Sequence, residues 1–363
     1  MSAPEQLDPR TQGILDRHRF DAARFAELQA AVAAGRLAPE TNVVEGTVEP
    51  PADQDLVPLS DEAREAGVEA IRRGEVAVAV LNGGMATRFG GLVKGVVEAV
   101  DGRSFLEWKM RETDRVARAA GGELPFAVMN SFATDEPTRR FVAEQGLPEP
   151  LFFSQSVSLR LERDGTIFRL ADGAASPYSP GHGDFVDSIR NSGVLEQLRA
   201  RGVRLLLLSN VDNLGARPDP AVIGMHLLAG NPVTAEVAPK EPGDAGGAPA
   251  RVDGRPVLVE GFRFPADFDQ DTIGVFATNS FVFDLDVLAE RHELTWLYVE
   301  KEVEGRPAVQ LERLVNELCR LLPTTYLEVP RSGPRGRFFP IKTPVDLETA
   351  RDHLREMLAA PVV

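Results

Sequence analysis

The sequence lacks the features of secreted and membrane proteins. A single cysteine, Cys319, stands among 363 residues, which excludes an intrachain disulfide framework and favours a reducing compartment. No run of apolar residues is long enough to span a bilayer, and the N-terminal segment MSAPEQLDPRTQGILDRHRF has no apolar signal core. Because Cys319 lies within an apolar segment, we predict a buried structural thiol. We therefore expect a cytoplasmic protein without a membrane partner.

Positively charged residues are also fewer than negatively charged ones. The chain has 40 Lys and Arg residues against 55 Asp and Glu residues, a formal net charge of -15. This balance argues against nonspecific binding to nucleic acid or to acidic membranes, although a local basic cluster can still bind a small anion. The apolar content of 43% and charged content of 26% are those of a globular protein with a large core.

Glycine is concentrated in one segment, residues 76–95, with the sequence VAVAVLNGGMATRFGGLVKG. Its first part, Val76 to Leu81, is apolar at every position, which predicts a strand buried on both faces of a parallel α/β sheet. Glycines let the main chain approach a ligand closely, and their N–H groups can face an anion. Arg88 and Lys94 add positive charge. An ordinary strand-to-helix turn also fits, since neither GxGxxG nor GxxxxGK[ST] is present.

The pattern of apolar residues divides the chain near residue 75. Residues 1–75 combine a helical N-terminal segment with a proline-rich connector, and residues 76–363 alternate buried-type strands with helices before hairpins appear. We therefore predict an α/β fold, a doubly wound mixed sheet with inserted β-hairpins, in which residues 76–363 form the catalytic domain. A helix is predicted over residues 308–322, AVQLERLVNELCRLL.

Polar residues follow the predicted strands, at the sheet edge where open α/β sheets bind ligands. Gln155, Asp212 and Lys240 stand just beyond three such strands. Asp212 is the preferred ligand for Mg²⁺, because this ion takes carboxylate oxygens together with waters and phosphates. A lone Asp after a strand is equally common as a turn or cap residue. No Ser/His/Asp or Cys/His arrangement and no zinc-ligand spacing is present.

Several strings together resemble one family. LNGGMATRFGGLVKG, FAVMNSFATDEPT, FFSQS, PGHGD, RNSGVLEQLRARG and SNVDNLGARPDP are similar to segments of the UTP–glucose-1-phosphate uridylyltransferase family of eukaryotic type, and EVAPK, FATNSFVFDL and FFPIKTPVDL continue the match in the same order. The resemblance covers roughly residues 76 to 350. The related UDP-N-acetylhexosamine pyrophosphorylases share the architecture but fit these strings less well.

The resemblance implies a nucleotide-diphospho-sugar transferase fold, a Rossmann-like and GT-A-like sheet, and a set of site residues. The groups implied to act on the phosphates are Arg88, Lys94 and Lys342. Those implied to hold the nucleotide are Asn82, Gly83, Gly84, Gln155, Gly183 and Lys240, with Gln155 and Gly183 at the uracil. Those implied to face the sugar are His182, Asn210, Glu260 and Asn279. The resemblance assigns Mg²⁺ to Asp212.

The chain also departs from the family pattern. Ala86 stands where glycine is usual, Val93 where proline precedes the lysine, and Ala277 and Ser280 replace two asparagines. The glycine loop is one residue shorter than in animal and plant enzymes. We also expect no counterpart of the family's C-terminal β-helix domain. These departures affect the choice of sugar and base more than the reaction type.

The implied reaction joins UTP and a sugar 1-phosphate, first of all glucose 1-phosphate, to give a UDP-sugar and pyrophosphate. One alternative keeps the chemistry with another hexose or cyclitol 1-phosphate, with GTP as a possible donor. A nucleotide-sugar glycosyltransferase and a nucleotide-sugar-binding protein are alternatives of another class. All of them use small-molecule substrates.

Overall fold

The computed structural model describes residues 7–86, 91–241, 244, 246–341 and 343–361. The α-helices in this part of the chain are α1 Pro9–Arg17, α2 Ala22–Ala33, α3 Arg64–Arg72, α4 Phe105–Ala120, α5 Asp135–Glu144, α6 Phe185–Asn191, α7 Val194–Ala200, α8 Pro220–Ala229, α9 Leu318–Leu321 and α10 Pro344–Ala359. None of these helices is long and apolar enough to cross a membrane.

The strands of the described residues are β1 Val48–Glu49, β2 Leu56–Pro58, β3 Val76–Asn82, β4 Met85–Ala86, β5 Leu92–Val93, β6 Glu98–Val100, β7 Arg103–Ser104, β8 Phe126–Asn130, β9 Leu151–Ser154, β10 Ser158–Leu159, β11 Pro177–Tyr178, β12 Leu205–Asn210, β13 Val233–Pro239, β14 Ala248–Val252, β15 Arg255–Val259, β16 Val275–Asp284, β17 Leu297–Val303, β18 Arg306–Glu312 and β19 Thr324–Glu328.

An eight-stranded mixed sheet forms the centre of the fold, in the order β2-β19-β13-β16-β12-β3-β8-β9. Neighbouring strands run parallel except at β16, which is antiparallel to both β12 and β13. The hairpins β14–β15 and β17–β18 are added outside this sheet. The predicted doubly wound mixed sheet with inserted hairpins is therefore confirmed.

The uninterrupted apolar sequence of β3 follows from its position between two cores. Ala77 and Ala79 pack into the cluster that contains α6 and α7, whereas Val76 and Val78 pack into the cluster on the opposite face with α3 and α8. Every residue of β3 is buried. Because both faces are covered, alternation of polar and apolar residues is absent, as expected for a central parallel strand.

The N-terminal segment packs against the rest of the protein and also joins the sheet. Leu28 and Val32 of α2 contact a cluster that includes Leu161 and Tyr298. Residues Leu56–Pro58 form β2, the edge strand beside β19. The predicted division of the chain at residue 75 stays a prediction, but these residues show that the N-terminal part completes the edge of the sheet.

The helix predicted over residues 308–322 is wrong in its first part. Residues Arg306–Glu312 form strand β18, paired with β17 through the turn at Glu304 and Gly305, which both have positive φ. The pairing with β17 outweighs the helical preference of this sequence, because the strand buries four consecutive side chains from Ala308 to Leu311. Only Leu318–Leu321 is α-helical, and it contains Cys319. This thiol is free and buried, and burial raises its pKa to about 12.

Two glycines allow α3 and α8 to pack in close contact. A Cβ atom added at Gly224 of α8 would lie 1.8 Å from the carbonyl oxygen of Ala63, and one added at Gly67 of α3 would lie 1.9 Å from that of Pro220. Real Cβ atoms do not approach oxygen this closely, and the obstructing atoms belong to the backbone. Glycine at these positions therefore sets the distance between the two helices.

We predict that Gly224→Ala lowers the free energy of unfolding by roughly 1–3 kcal/mol, because overpacking forces the helix backbones apart. Gly13→Ala in α1 is the matched control, since nothing lies within 4 Å of its added Cβ. That control should raise the free energy of unfolding by about 0.4–1 kcal/mol. Urea titration followed by circular dichroism measures both. Equal stability of the two variants would contradict the close packing of α3 and α8.

Candidate active site

The carboxyl ends of parallel strands deliver polar side chains to one edge of the sheet. Strands β3, β8, β9 and β12 are consecutive neighbours and run in the same direction. The residues at or just past their ends are Asn82, Asn130, Gln155 and Asp212. Each is buried, so these polar groups are held within the protein beneath the edge.

An ion pair joins the glycine loop to the loop after β12. The Lys94 ammonium donates to the Asp212 carboxylate, across 118 positions of sequence. The backbone N–H of Lys94 donates to the carbonyl of Gly84 at 3.3 Å. The side chains of Lys94 and Asp212 are 23% and 11% exposed, so the pair is partly desolvated while still open to a ligand. The structure therefore brings the predicted phosphate-site residue Lys94 and the predicted metal ligand Asp212 together.

Two other predicted phosphate-site residues, Arg88 and Lys342, lie outside the described residues. The chain immediately before Lys342 runs beside the ion pair: the N–H of Ile341 lies 3.4 Å from the Asp212 carbonyl, and Pro340 forms a bridge with Asn213. Two segments that resemble the family, one at Lys94 and the other at Ile341, therefore both contact Asp212.

Asn82 holds the glycine loop in place. Its side chain is fully buried and donates to Asn130 Oδ1 at 2.8 Å and to Thr138 Oγ1 at 2.9 Å. Its Oδ1 accepts from the N–H of Gly95 at 3.1 Å. With both ends of the amide engaged, Asn82 acts on the backbone next to Lys94. The geometry shows a residue that orients the loop, and the nucleotide contact implied by the resemblance stays a prediction.

The predicted uracil residues, Gln155 and Gly183, lie in two segments that contact each other at the same edge of the sheet. Gln155 Nε2 donates to the carbonyl of Gly181 at 2.7 Å. A Cβ atom at Gly83 would lie 2.3 Å from Gln155 Oε1, so glycine is needed for this approach. Gly183 packs just as closely on the backbone of Arg313 and donates its N–H to the Arg313 carbonyl at 2.8 Å. The glycine loop and the PGHGD segment are therefore fixed on either side of Gln155.

Asp184, the last residue of PGHGD, was not among the predicted site residues. Its carboxylate is 1% exposed and accepts from the N–H of Ser156 at 2.6 Å, from the hydroxyls of Ser156 and Ser188, and from Arg313 at 2.5 Å. These bonds tie the segment after Gln155 to Arg313, the residue beneath Gly183. Asp184 belongs to the PGHGD segment that resembles the family, but its structural role becomes visible only from the residues that surround it in space.

His182 and Glu260, both predicted to face the sugar, are linked through adjacent residues. Nδ1 of His182 accepts from the N–H of Val315 at 3.2 Å, and Glu260 accepts from Asn316 Nδ2 at 3.0 Å. Burial lowers the pKa of His182 to about 4 and raises the pKa of Glu260 above its usual range. The bond to Val315 places the proton of the neutral imidazole on Nε2.

Asn210 and Asn279, the other predicted sugar residues, contact each other directly. Asn279 Nδ2 donates to Asn210 Oδ1 at 3.0 Å. A bulge makes this possible: the β13–β16 register shifts between Ala235 and Val237, and Asn279 takes a left-handed backbone with φ of 56°. Left-handed φ is several-fold enriched for asparagine among residues other than glycine. The bulge therefore turns the Asn279 side chain towards the end of β12.

Lys240 lies at the same end of β13 but binds a different loop. Its ammonium donates to the carbonyl of Gln270 and to the Asp271 carboxylate, each at 3.0 Å. The structure thus does not place Lys240 in the ion pair of Lys94 and Asp212, and its phosphate role stays a prediction.

The model of the UTP–glucose-1-phosphate uridylyltransferase family matches residues 24–360. The chain belongs to this family. A uridylyltransferase of that name from Musa acuminata is 30% identical over 83% of this chain and 68% of its own length. Across the curated relatives, this chain covers between 60% and 68% of their length, and less than two thirds of most of them.

Solved structures show the same fold. A substituted UDP-glucose pyrophosphorylase from Leishmania major, in complex with UDP-glucose, has a TM-score of 0.75 at 24% identity, over 95% of this chain and 80% of that one. The UDP-N-acetylglucosamine pyrophosphorylase from Trypanosoma brucei has a TM-score of 0.73 at 19% identity, over 96% and 85%. The fold alone does not distinguish the two sugars.

For this member of the uridylyltransferase family we predict that His182 stays neutral throughout the physiological pH range. Its folded-state pKa of about 4 lies below the ordinary value of about 6.5, so protonation disfavours the folded state. His182 therefore contributes stability above pH 6.5 that is lost as the pH falls towards 4. The Hε1 NMR signal, assigned by its absence in His182→Asn, should not move between pH 5 and 8. A midpoint near pH 6.5 would contradict this prediction.

Proposed function

We propose that this protein transfers the uridylyl group of UTP to glucose 1-phosphate, giving UDP-glucose and pyrophosphate. One observation carries the proposal beyond family membership. The ion pair of Lys94 and Asp212 lies at the same sheet edge as the contacts that Gln155 makes with Gly83 and Gly181. A charged site for phosphates thus adjoins a buried amide suited to a base. A cytoplasmic location belongs to the same proposal, and the single cysteine supports it because disulfide-free chains are typical of reducing compartments.

The reaction needs alignment and charge stabilisation rather than a protein nucleophile. An oxygen of the sugar phosphate forms a bond to the α-phosphorus of UTP, and the bond to the departing pyrophosphate breaks. This oxygen is already ionised near pH 7, so no general base is required. The site must bring two anions together and stabilise the charge that builds up between them. The absence of a catalytic triad from the sequence fits this requirement.

In this proposal, Lys94 supplies a positive charge that changes its partner from Asp212 to the triphosphate. Without substrate its ammonium is neutralised by Asp212, which avoids leaving either charge alone in a partly buried site. Triphosphate oxygens compete with the carboxylate for the ammonium. A charge-assisted contact to phosphate is then available at the reacting end of UTP.

The oxygen donors at Asp212 fit a magnesium ion that arrives with the nucleotide. No group of three or more His, Cys, Asp or Glu side chains suited to a metal occurs among the described residues. Mg²⁺ is commonly held by one or two carboxylates together with substrate phosphates, and Asp212 offers one such carboxylate. When bound, the ion would neutralise phosphate charge and orient the reacting groups.

Base recognition is assigned to Gln155 and the sugar contacts to Asn210, Asn279, His182 and Glu260. One N–H of the Gln155 amide is engaged by Gly181, which fixes the plane of the amide. Its second N–H and its carbonyl can complement the edge of uracil, which carries both acceptors and a donor. The paired asparagines and the neutral histidine present hydrogen-bonding groups that suit sugar hydroxyls.

A direct assay decides the substrate. We expect pyrophosphate release with UTP and glucose 1-phosphate to exceed release with GTP, ATP or CTP by at least about 100-fold, because unmatched buried groups penalise the wrong base. The same assay with N-acetylglucosamine 1-phosphate and other hexose 1-phosphates compares the sugars. Preference for GTP would overturn the uracil assignment, and preference for another sugar would keep the reaction but change the substrate.

Substitution of Lys94 tests the charge in the site. Lys94→Met should lower kcat by about 100-fold or more, since about 1.4 kcal/mol of transition-state stabilisation is worth a factor of ten. Lys301→Met is the matched control, because Lys301 is 52% exposed and lies 3.8 Å from a carboxylate oxygen of Glu312. The control should retain full activity. If Lys94→Met also remains fully active, the glycine loop is a structural turn.

A further inference from the structure

Lys109 is a buried lysine beneath the loop that carries Asp212, and no sequence pattern singles it out. It lies in α4 and is 3% exposed. Its ammonium donates to Ser209 Oγ at 3.1 Å and to the carbonyl of Ala216 at 2.7 Å. These acceptors stand at the two ends of the segment that contains Asn210 and Asp212.

We propose that Lys109 is a positioning residue for the active-site loop 210–216, an inference that rests on the proposed function for its catalytic consequence. By holding Ser209 and Ala216 with one ammonium group, Lys109 fixes the separation of the loop ends. Asp212 is then carried by a loop whose two ends are held at a constant distance. The side chain acts through the loop backbone.

The opposite side of the loop already has its own support, which leaves this side to Lys109. Asn213 Nδ2 donates to the carbonyl of Arg337 at 3.1 Å, and Asn213 Oδ1 accepts from the N–H groups of Gly215 and Phe339. These bonds attach the loop to residues 337–341. Lys109 adds hydrogen bonds to α4, where Val211 and Leu214 also share an apolar cluster with Phe105 and Leu106. The loop is therefore held between a helix and the chain that leads to Ile341.

The hydrogen bonds of Lys109 do not depend on its charge. Burial lowers the pKa of Lys109 to about 7, Arg337 and Arg217 also lower it, and Asp212 and Glu236 raise it. A neutral amine keeps two N–H groups, so both hydrogen bonds survive loss of the proton. The loop therefore stays attached on either side of this pKa. An apolar side chain of similar length could fill the same space without the cost of burying an amine. The buried amine is therefore explained by the two hydrogen bonds that it makes.

Hydrogen exchange tests the inference without depending on the reaction. In Lys109→Met, amides of the loop 210–216 should exchange at least about tenfold faster than in the wild type, because the loop loses its hydrogen bonds to α4. Val116→Ala is the matched control: it truncates a buried side chain of α4 whose cluster includes Leu205 and Leu207 of β12 but no residue of the loop 210–216. This control should leave exchange of the loop 210–216 unchanged.

Kinetics then distinguish positioning from general stability. We expect kcat of Lys109→Met to fall by roughly 100-fold, since a displacement of about 1 Å costs about this much, with KM for glucose 1-phosphate changed less than threefold. Val116→Ala should retain kcat. Ser209→Ala, which removes one acceptor only, should give an intermediate effect and replaces Lys109→Met if that variant does not fold.

The outcomes separate this inference from the proposed reaction. Unchanged exchange of residues 210–216 in Lys109→Met and Ser209→Ala overturns the positioning role, whatever the activity. Equal losses of kcat in Lys109→Met and Val116→Ala overturn it as well, because the effect would then follow from stability alone. Faster exchange confined to the loop in a protein that releases no pyrophosphate supports the positioning role and rejects the uridylyltransferase proposal.

Discussion

The burial of β3 on both faces is the constraint on which the rest of the site depends. A strand covered by helices above and below cannot place a polar side chain along its length without losing hydration. Polar groups can therefore appear only where it ends, and Asn82 is the first of them. Neighbouring parallel strands obey the same constraint, which concentrates Asn130, Gln155 and Asp212 at one edge. The location of the site is thus a consequence of how the core is built.

Charge within the site is balanced before any ligand arrives. Lys94 faces Asp212, Arg337 forms a bidentate pair with Glu236, and Arg313 contacts both Asp184 and Asp187. Lys94, Arg337 and Arg313 can therefore lie near one edge of the sheet because each of these three has a carboxylate partner. The partly exposed pair of Lys94 and Asp212 differs from the buried pair of Arg337 and Glu236. A ligand can reach the first pair, whereas the second is enclosed and supports the backbone near Asn213.

Much of this arrangement could be predicted from the sequence. The apolar run of β3, the glycines after it and the strings MNSF, PGHGD and SNVDN led to the fold, to the family and to the expectation that polar groups collect at one edge of the sheet. The direct pairing of Lys94 with Asp212 was not predicted. These features are local, or depend on the general rule that parallel strands end at a common edge. The fold-level expectation held because both faces of the sheet require apolar residues.

The errors and omissions arose where partners are distant in sequence. Residues 308–312 carry a helical pattern, and only the pairing with β17 makes them a strand. Lys109 looks like any lysine of an amphipathic helix until Ser209 and Ala216, about a hundred positions away, are placed beside it. The bonds of the Asn82 amide to Asn130 and Thr138 join residues about fifty positions apart, and the sequence alone does not reveal them.

The bulge in β16 has a consequence for the substitutions that its centre accepts. Asn279 takes its place through a left-handed backbone, a conformation that asparagine, aspartate and glycine adopt more readily than β-branched residues. A β-branched residue there would therefore strain the backbone by roughly 1–3 kcal/mol, whatever its side chain does to a ligand. Ser280 has no positive φ, but its side chain is buried, so a larger residue there would disturb the packing instead. The side chain at the bulge can consequently be varied with an unstrained backbone only among the few residue types that accept a left-handed conformation.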